Sequence, residues 1–246
     1  MNHDLLKDKV VVVTAAAGTG IGSATAKRCL EEGATVIISD WHERRLKETH
    51  EALGTALAIP CDVTNEEHVQ ALIDGTVEKF GRIDVMVNNA GLGGEKSVLD
   101  MADDEWSRVL DVTLNGTFRC TRAALRQMVA QRSGVVVNNS SVIGWRAQRG
   151  QAHYAAAKAG VMALTRCAAM DVAEHGIRVN AVAPSLAAHP FLAKVTSEEL
   201  LTELASREAF GRAAEPWEVA NVIVFLASDY SSYLTGEVVS VSSQHP

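Results

Sequence analysis

The stretch TAAAGTGIG, Thr14 to Gly22, directly follows the apolar run VVVV and carries three glycines, Gly18, Gly20 and Gly22. Taken alone it is either a flexible turn or a cradle for phosphate. The next residues favour the cradle, because SATAKRCLEE is a good helix former that stops at Gly33. Between a strand and a helix, glycines let the backbone approach a pyrophosphate, and the free N–H groups and dipole of the helix start attract its charge. Gly18, Gly20, Ile21 and Gly22 are therefore the expected phosphate contacts. The spelling is not GxGxxG, so the position between strand and helix carries the inference rather than the pattern.

The same alternation continues outward along the chain. β-branched runs recur at Thr35–Ser39, Ala56–Cys61, Asp84–Asn88, Gly134–Asn139, Ile177–Val182 and Glu237–Val241, which with Val10–Thr14 makes seven strand candidates. Between them, segments such as Glu66–Phe80 and Glu215–Ala227 repeat apolar residues three or four apart, with Asn65 or Glu215 near the start. Strands alternating with helices imply right-handed crossovers. The expected class is α/β, a Rossmann-type, doubly wound, mostly parallel seven-stranded sheet with helices on both faces. No repeat, low-complexity stretch or linker divides residues 1–246, which read as a single doubly wound domain. Within it, residues 185–212 surround the helical stretch SEELLTELASREAF with turn-forming residues. An excursion after a late strand lies at the carboxyl edge of the sheet, where ligands bind, so this is the expected substrate lid.

Composition narrows the function. A net charge of −7 over 246 residues argues against a protein built to grip nucleic acid or anionic lipid. No apolar run reaches the length of a membrane span, and MNHDLLKDKV holds no signal-peptide stretch. Cys29, Cys61, Cys120 and Cys167 are scattered without a CxxC or Cys/His cluster. They read as reduced thiols, so no metal site and a cytoplasmic location are expected.

Asp40 closes the second strand in VIISDW, eighteen residues after Gly22. A carboxylate there accepts hydrogen bonds from an adenosine ribose and repels a 2′-phosphate, which favours NAD over NADP. Arg44 and Arg45 nearby keep NADP open, and the other reading of Asp40 is a cap for the helix begun by WHERRLKE. The densest chemistry lies in SSVIGWRAQRGQAHYAAAK, where Tyr154 and Lys158 stand four apart in an alanine-rich segment. A helix puts both on one face. Free tyrosine, with a pKa of about 10, is a poor base, but a fixed ammonium close by favours the phenolate and lowers that value. Tyr154 then becomes a usable proton acceptor or donor, and Ser141, thirteen residues earlier, is placed to hydrogen-bond a substrate oxygen.

Ser141, Tyr154 and Lys158, in this order and spacing, resemble the catalytic core of the short-chain dehydrogenase/reductase family. The resemblance runs from Val10 to Val241. It takes in the glycine turn, Asp62-Val63, Asn88-Asn89-Ala90-Gly91 and the segment NAVAP that ends at Pro184. It implies that Asp62 and Val63 hold adenine, that Asn89, Ala90 and Gly91 shape the adenosine side of the site, and that Pro184 contacts the cofactor. It further implies that Lys158 binds the nicotinamide ribose while Tyr154 passes a proton as hydride moves between nicotinamide and substrate. From the residues alone, Asp62 is also readable as a cap for VTNEEHVQ, and Asn88 and Asn89 as strand-end hydrogen bonders. The implied activity interconverts a secondary alcohol and a ketone with NAD(P)(H).

For the substrate, the chain is similar to 3-oxoacyl thioester reductases. TAAAGTGIG, APSLAAHPF and the SSQHP tail also resemble an actinobacterial subgroup acting on hydroxylated bicyclic acyl-CoA compounds in sterol-ring breakdown. Trp145, Arg146 and Arg149 border the expected substrate site, and an aromatic plate beside arginines suits a CoA thioester. The alternative is surface arginines without a ligand. Helices like those in DDEWSRVLDVTLNGTFRCTRAALRQMVAQ pair in family dimers and tetramers, implying a homo-oligomer, with burial inside the monomer as the other reading.

Several positions depart from the family pattern. Ala15 stands where the family has glycine, and the turn is one residue longer. The family asparagine falls on Thr113, while Asn115, two residues on, faces elsewhere unless the helix is locally irregular. Ser185 replaces a glycine and His189 a cofactor-contacting threonine, so His189 is either a ligand contact or a solvated side chain. His153 reads as structural. These departures keep open a catalytically impaired nucleotide sensor or interaction scaffold, against which the retained trio counts.

Overall fold

The computed structural model describes residues 3–188 and 198–243, and His189 and the tail residues Gln244, His245 and Pro246 lie outside them. Among the described residues there are seven strands: β1 (Val10–Val13), β2 (Thr35–Asp40), β3 (Leu57–Pro60), β4 (Val85–Asn88), β5 (Gly134–Asn139), β6 (Ile177–Pro184) and β7 (Val238–Val241). They form one sheet of order β3-β2-β1-β4-β5-β6-β7 with every neighbouring pair parallel. The expected mostly parallel sheet is thus wholly parallel among the described residues. The sixth strand runs two residues past the expected end at Val182, because Ala183 and Pro184 pair with Ser240 and Val241.

The near-continuous valine runs follow from burial on both faces. Val10 and Val12 join Ile37, Met86, Val136 and Val179 in one core. Val11 and Val13 join Val36, Ile38, Val85, Val87 and Val137 in the other. The first core is covered by α3 (Glu66–Phe80), α5 (Gly116–Gln131) and the end of α6 (Ala152–Val172), the second by α1 (Ile21–Glu31), α2 (Glu43–Leu53) and α8 (Pro216–Ala227). Short α4 (Asp103–Leu110) runs through a π-helical turn, Asp111–Asn115, into α5, and α7 (Glu198–Arg207) lies in the excursion after β6. Cys29, Cys61 and Cys120 are buried and Cys167 exposed, all unpaired. Among the described residues no helix is long and apolar enough to cross a membrane.

Candidate active site

Strand order reverses between β1 and β4, so the loops after these two strands diverge and open a crevice at their carboxyl ends. The glycine turn fills one side. α1 starts at Ile21 with Gly20 as its cap residue, no capping side chain and no acidic residue in its first turn, leaving its leading N–H groups to a ligand. Gly22 is required by space: a Cβ there would meet the Ala15 carbonyl oxygen at 2.4 Å and Asn89 Nδ2 at 2.6 Å. Gly18 is required by conformation, with φ +94°, and Ala15 occupies the left-handed region at φ +48° without being glycine. The turn is pinned from outside by Thr49 Oγ1, which accepts from Gly18 N (3.0 Å), and by Asp40 Oδ2, which accepts from Ala17 N (3.2 Å).

Asp40 is not the helix cap. Its Oδ1 accepts from His42 N at 2.9 Å, while His42 caps α2. Asp62 is not a cap either; it accepts from the backbone and hydroxyl of Thr64, and Asn65 caps α3. Asp40, Asp62, Val63, Ala90 and Gly91 line one cleft of about 890 Å³ with Ala15. Sequence reasoning missed Trp41, Thr64, Leu92, Trp106 and Asp111, which line it too. Trp41, one residue beyond a carboxylate at a strand end, was the legible signal among them.

The ends of β1, β4 and β5 are knitted by polar side chains. Thr14 Oγ1 accepts from Asn89 N (3.0 Å) and Ala90 N (3.2 Å). Asn89 Nδ2 donates to the carbonyls of Thr14 and Ala15, and Asn89 Oδ1 accepts from Asn139 Nδ2 at 2.9 Å. Asn88 is buried and donates to Thr121 and Asn138, a strand-end role.

Ser141, Tyr154 and Lys158 meet beside this crevice. Ser141 begins a 3-10 turn at the end of β5, accepts from Ile143 N and donates to the Pro184 carbonyl at 3.3 Å. Its hydroxyl is also hydrogen-bonded to Tyr154. Ser140 Oγ donates to the Lys158 carbonyl at 2.9 Å and so fixes α6 against the strand. Lys158, 2% exposed, donates to the Asn139 carbonyl at 2.6 Å, and its Nζ stands 5.5 Å from the centre of the Tyr154 ring.

The electrostatics correct one expectation. Burial pushes the Tyr154 phenol up to about 12, with the Ser141 hydrogen bond opposing, instead of lowering it. Burial also draws Lys158 down to about 8. Lys158 donates to the Asn139 carbonyl, keeps its charge and carries its own desolvation cost, while burial outweighs the Ser141 hydrogen bond at the phenol. In this structure both groups are therefore protonated at neutral pH.

Thr113 and Lys158 both approach Gly91. Thr113 is fully buried, bonded through Oγ1 to both backbone groups of Leu92, and a Cβ on Gly91 would come to 3.8 Å of Thr113 Oγ1 and 3.4 Å of Lys158 Nζ. The helix is irregular here, a π turn, yet Asn115 stays exposed and donates to Asp111. A wider turn still carries a residue two places on to another face.

Comparison with known proteins gives the family. A family model described as enoyl-(acyl carrier protein) reductase matches residues 15–243. A short chain dehydrogenase from Mycobacterium smegmatis superposes with a TM-score of 0.88 at 60% identity, over 100% of this chain and 96% of that one. The chain is a short-chain dehydrogenase/reductase. It is 66% identical, over 99% of its length and 95% of the relative's, to (5R,7aS)-5-hydroxy-7a-methyl-1-oxo-2,3,5,6,7,7a-hexahydro-1H-indene-carboxyl-CoA reductase of Mycobacterium tuberculosis. It is 41% identical to 3-oxoacyl-[acyl-carrier-protein] reductase FabG of Thermotoga maritima, over 96% of this chain and 97% of that one.

This short-chain dehydrogenase/reductase is an oxidoreductase, and its family uses nicotinamide cofactors. The residues fit such a group: an uncapped helix start behind a turn that a Cβ at Gly22 would fill, a cleft of nucleotide size, and a buried acceptor, Asn139 Oδ1, without a protein partner. His153, beside Tyr154, is buried and accepts from Tyr154 N at 2.9 Å. Trp145 and Arg149 are exposed at the rim of the 3-10 turn.

Proposed function

We propose that this enzyme reduces a ring ketone carried on a CoA thioester to a secondary alcohol, using NADH. The observation that carries the chemistry is the meeting of Ser141 and Tyr154 hydroxyls beside a buried Lys158, with the phenol held protonated. Bound nicotinamide supplies the hydride. Tyr154 donates the proton to the nascent alkoxide, a general acid in its working charge state. Ser141 orients and polarises the substrate oxygen, and Lys158 holds the nicotinamide ribose and supplies positive charge near the phenol. Gly18, Gly20, Ile21 and Gly22 hold the pyrophosphate, Asp62 and Val63 the adenine, Asn89, Ala90 and Gly91 its ribose side, and Pro184 the nicotinamide end.

Asp40 supports NAD over NADP. Both its oxygens are fixed by backbone N–H groups at the cleft wall, so the carboxylate stays to repel a 2′-phosphate. Arg44 is engaged with Glu48 at 3.1 Å. The ring thioester is favoured over a linear one because the indene-carboxyl-CoA reductase is 66% identical and the linear acyl-carrier reductase 41%. Exposed Trp145 and Arg149, with Arg146 beside them, suit the CoA portion. The excursion 185–212 serves as the lid of this one domain. Its base is clamped where Ala187 bridges Ala214, and it carries α7.

Phe118 on α5 is exposed rather than buried in the monomer, which supports pairing of such helices in a homo-oligomer, a dimer or tetramer. Unpaired thiols suit the cytoplasm. The test is NADH and NADPH oxidation with a bicyclic keto acyl-CoA and with a linear 3-oxoacyl-CoA, for the wild type and Tyr154→Phe. The ring thioester with NADH should give the higher kcat/KM, and the variant should lose roughly 10²- to 10⁴-fold in rate while still binding NADH. A near-normal rate in Tyr154→Phe would remove the phenol from the mechanism.

A further inference from the structure

Strand β5 ends on two adjacent asparagines that go to opposite faces of the sheet. Asn138 bonds Asn88 and Thr121, and it donates to Thr165 on α6; Ser140 likewise turns to α6. With a side-chain period of two, Asn139 takes the other face, where the glycine turn lies. There its Nδ2 donates to Asn89 Oδ1 at 2.9 Å.

The orientation of this amide is dictated by its neighbours. Asn89 Nδ2 donates to the Thr14 and Ala15 carbonyls, which only accept, so Asn89 must present its oxygen to Asn139. Asn139 then has to offer Nδ2, and its Oδ1 is left buried without a hydrogen-bond partner in a residue 8% exposed. The backbone of the same residue anchors the catalytic cation, its carbonyl accepting from Lys158 Nζ at 2.6 Å. Buried acceptors are almost always satisfied, so an orphan at the junction of glycine turn and Lys158 points to a ligand donor.

We propose that Asn139 is a positioning residue of the reaction: its Oδ1 accepts a hydrogen bond from the bound nicotinamide dinucleotide, and its amide and carbonyl tie the glycine turn to Lys158. The inference rests on the dinucleotide reading of the cleft. Nucleotide seated in the turn braces Asn89, Asn89 braces Asn139, and Asn139 sets the lysine. Neither candidate for the family asparagine makes this link, since Thr113 is bonded to Leu92 and Asn115 to Asp111.

The experiment is calorimetric titration of NADH into purified wild-type protein, Asn139→Leu and Asn139→Ser, with thermal midpoints and steady-state kinetics on the same samples. Leucine keeps the branching at Cγ and removes both polar groups. Its NADH dissociation constant should rise roughly three- to tenfold, the worth of one net hydrogen bond, with a fall in kcat as Lys158 loosens. Serine, with a short hydroxyl, should recover part of the affinity. A folded leucine variant with wild-type affinity and kcat overturns the role of Asn139, as does one that loses thermal stability with its NADH affinity unchanged. A wild-type protein that binds neither NADH nor NADPH overturns the dinucleotide reading itself.

Discussion

Replacing Lys158 with methionine should make the nucleotide-free protein more stable while removing its activity. The side chain is 2% exposed, and burial lowers its pKa from 10.5 to about 8. That displacement corresponds to about 3 kcal/mol of penalty for keeping the ammonium in the fold at neutral pH. Methionine fills similar volume without charge, but it leaves the Asn139 carbonyl without its donor, which returns about 1 kcal/mol. A net gain of about 2 kcal/mol follows, or roughly 4–8 °C in Tm for a chain of this size.

The pH dependence gives the sign an independent check. Below pH 8 the lysine is charged in both folded and unfolded chains, so the penalty is fully present. Between about 8 and 10.5 the folded protein releases the proton while the unfolded chain keeps it, and wild-type stability rises toward that of the variant. Urea unfolding of both proteins at pH 7 and pH 10.5, at equal protein concentration, measures the difference. A methionine variant that is less stable at pH 7, or an advantage that persists unchanged at pH 10.5, would refute the desolvation argument.

Two further substitutions test the cofactor side. Ala15→Gly should raise stability by about 1 kcal/mol in thermal unfolding, because φ +48° costs an L-residue about that much and glycine little; no gain would mean the turn relaxes the strain elsewhere. Asp40→Ala should lower the NADH-to-NADPH preference measured as a ratio of dissociation constants, and it should loosen the turn at Ala17, whose N–H loses its acceptor. An unchanged ratio would take Asp40 out of cofactor selection.

Much of this protein is written locally. The unit VVVV–TAAAGTGIG–SATAKRCLEE announces a strand, a turn and a helix because each depends on neighbouring residues: β-branched side chains, glycine conformations, helical spacing. Seven such runs were enough for the doubly wound α/β class, and for parallel pairing, since parallel strands need helical crossovers. Tyr154 and Lys158 were readable as neighbours because four residues make about one helical turn. Ser141 was readable only as a hydrogen-bonding group near them, and the resemblance made it part of one catalytic core.

Tertiary structure decided what depends on groups far apart in the chain. The protonation state of Tyr154 came out opposite to the local argument, because the burial that raises its pKa is set by the whole fold. The π turn that sorts Thr113 from Asn115 is stabilised against Leu92, twenty-one residues upstream. Asn139 looked like one more strand residue until Asn89 and the glycine turn closed around it from β4 and β1. Sequence carries periodicity and short-range propensity; desolvation and amide orientation belong to the packed assembly, where a charge or an acceptor is costed by every group that excludes water from it.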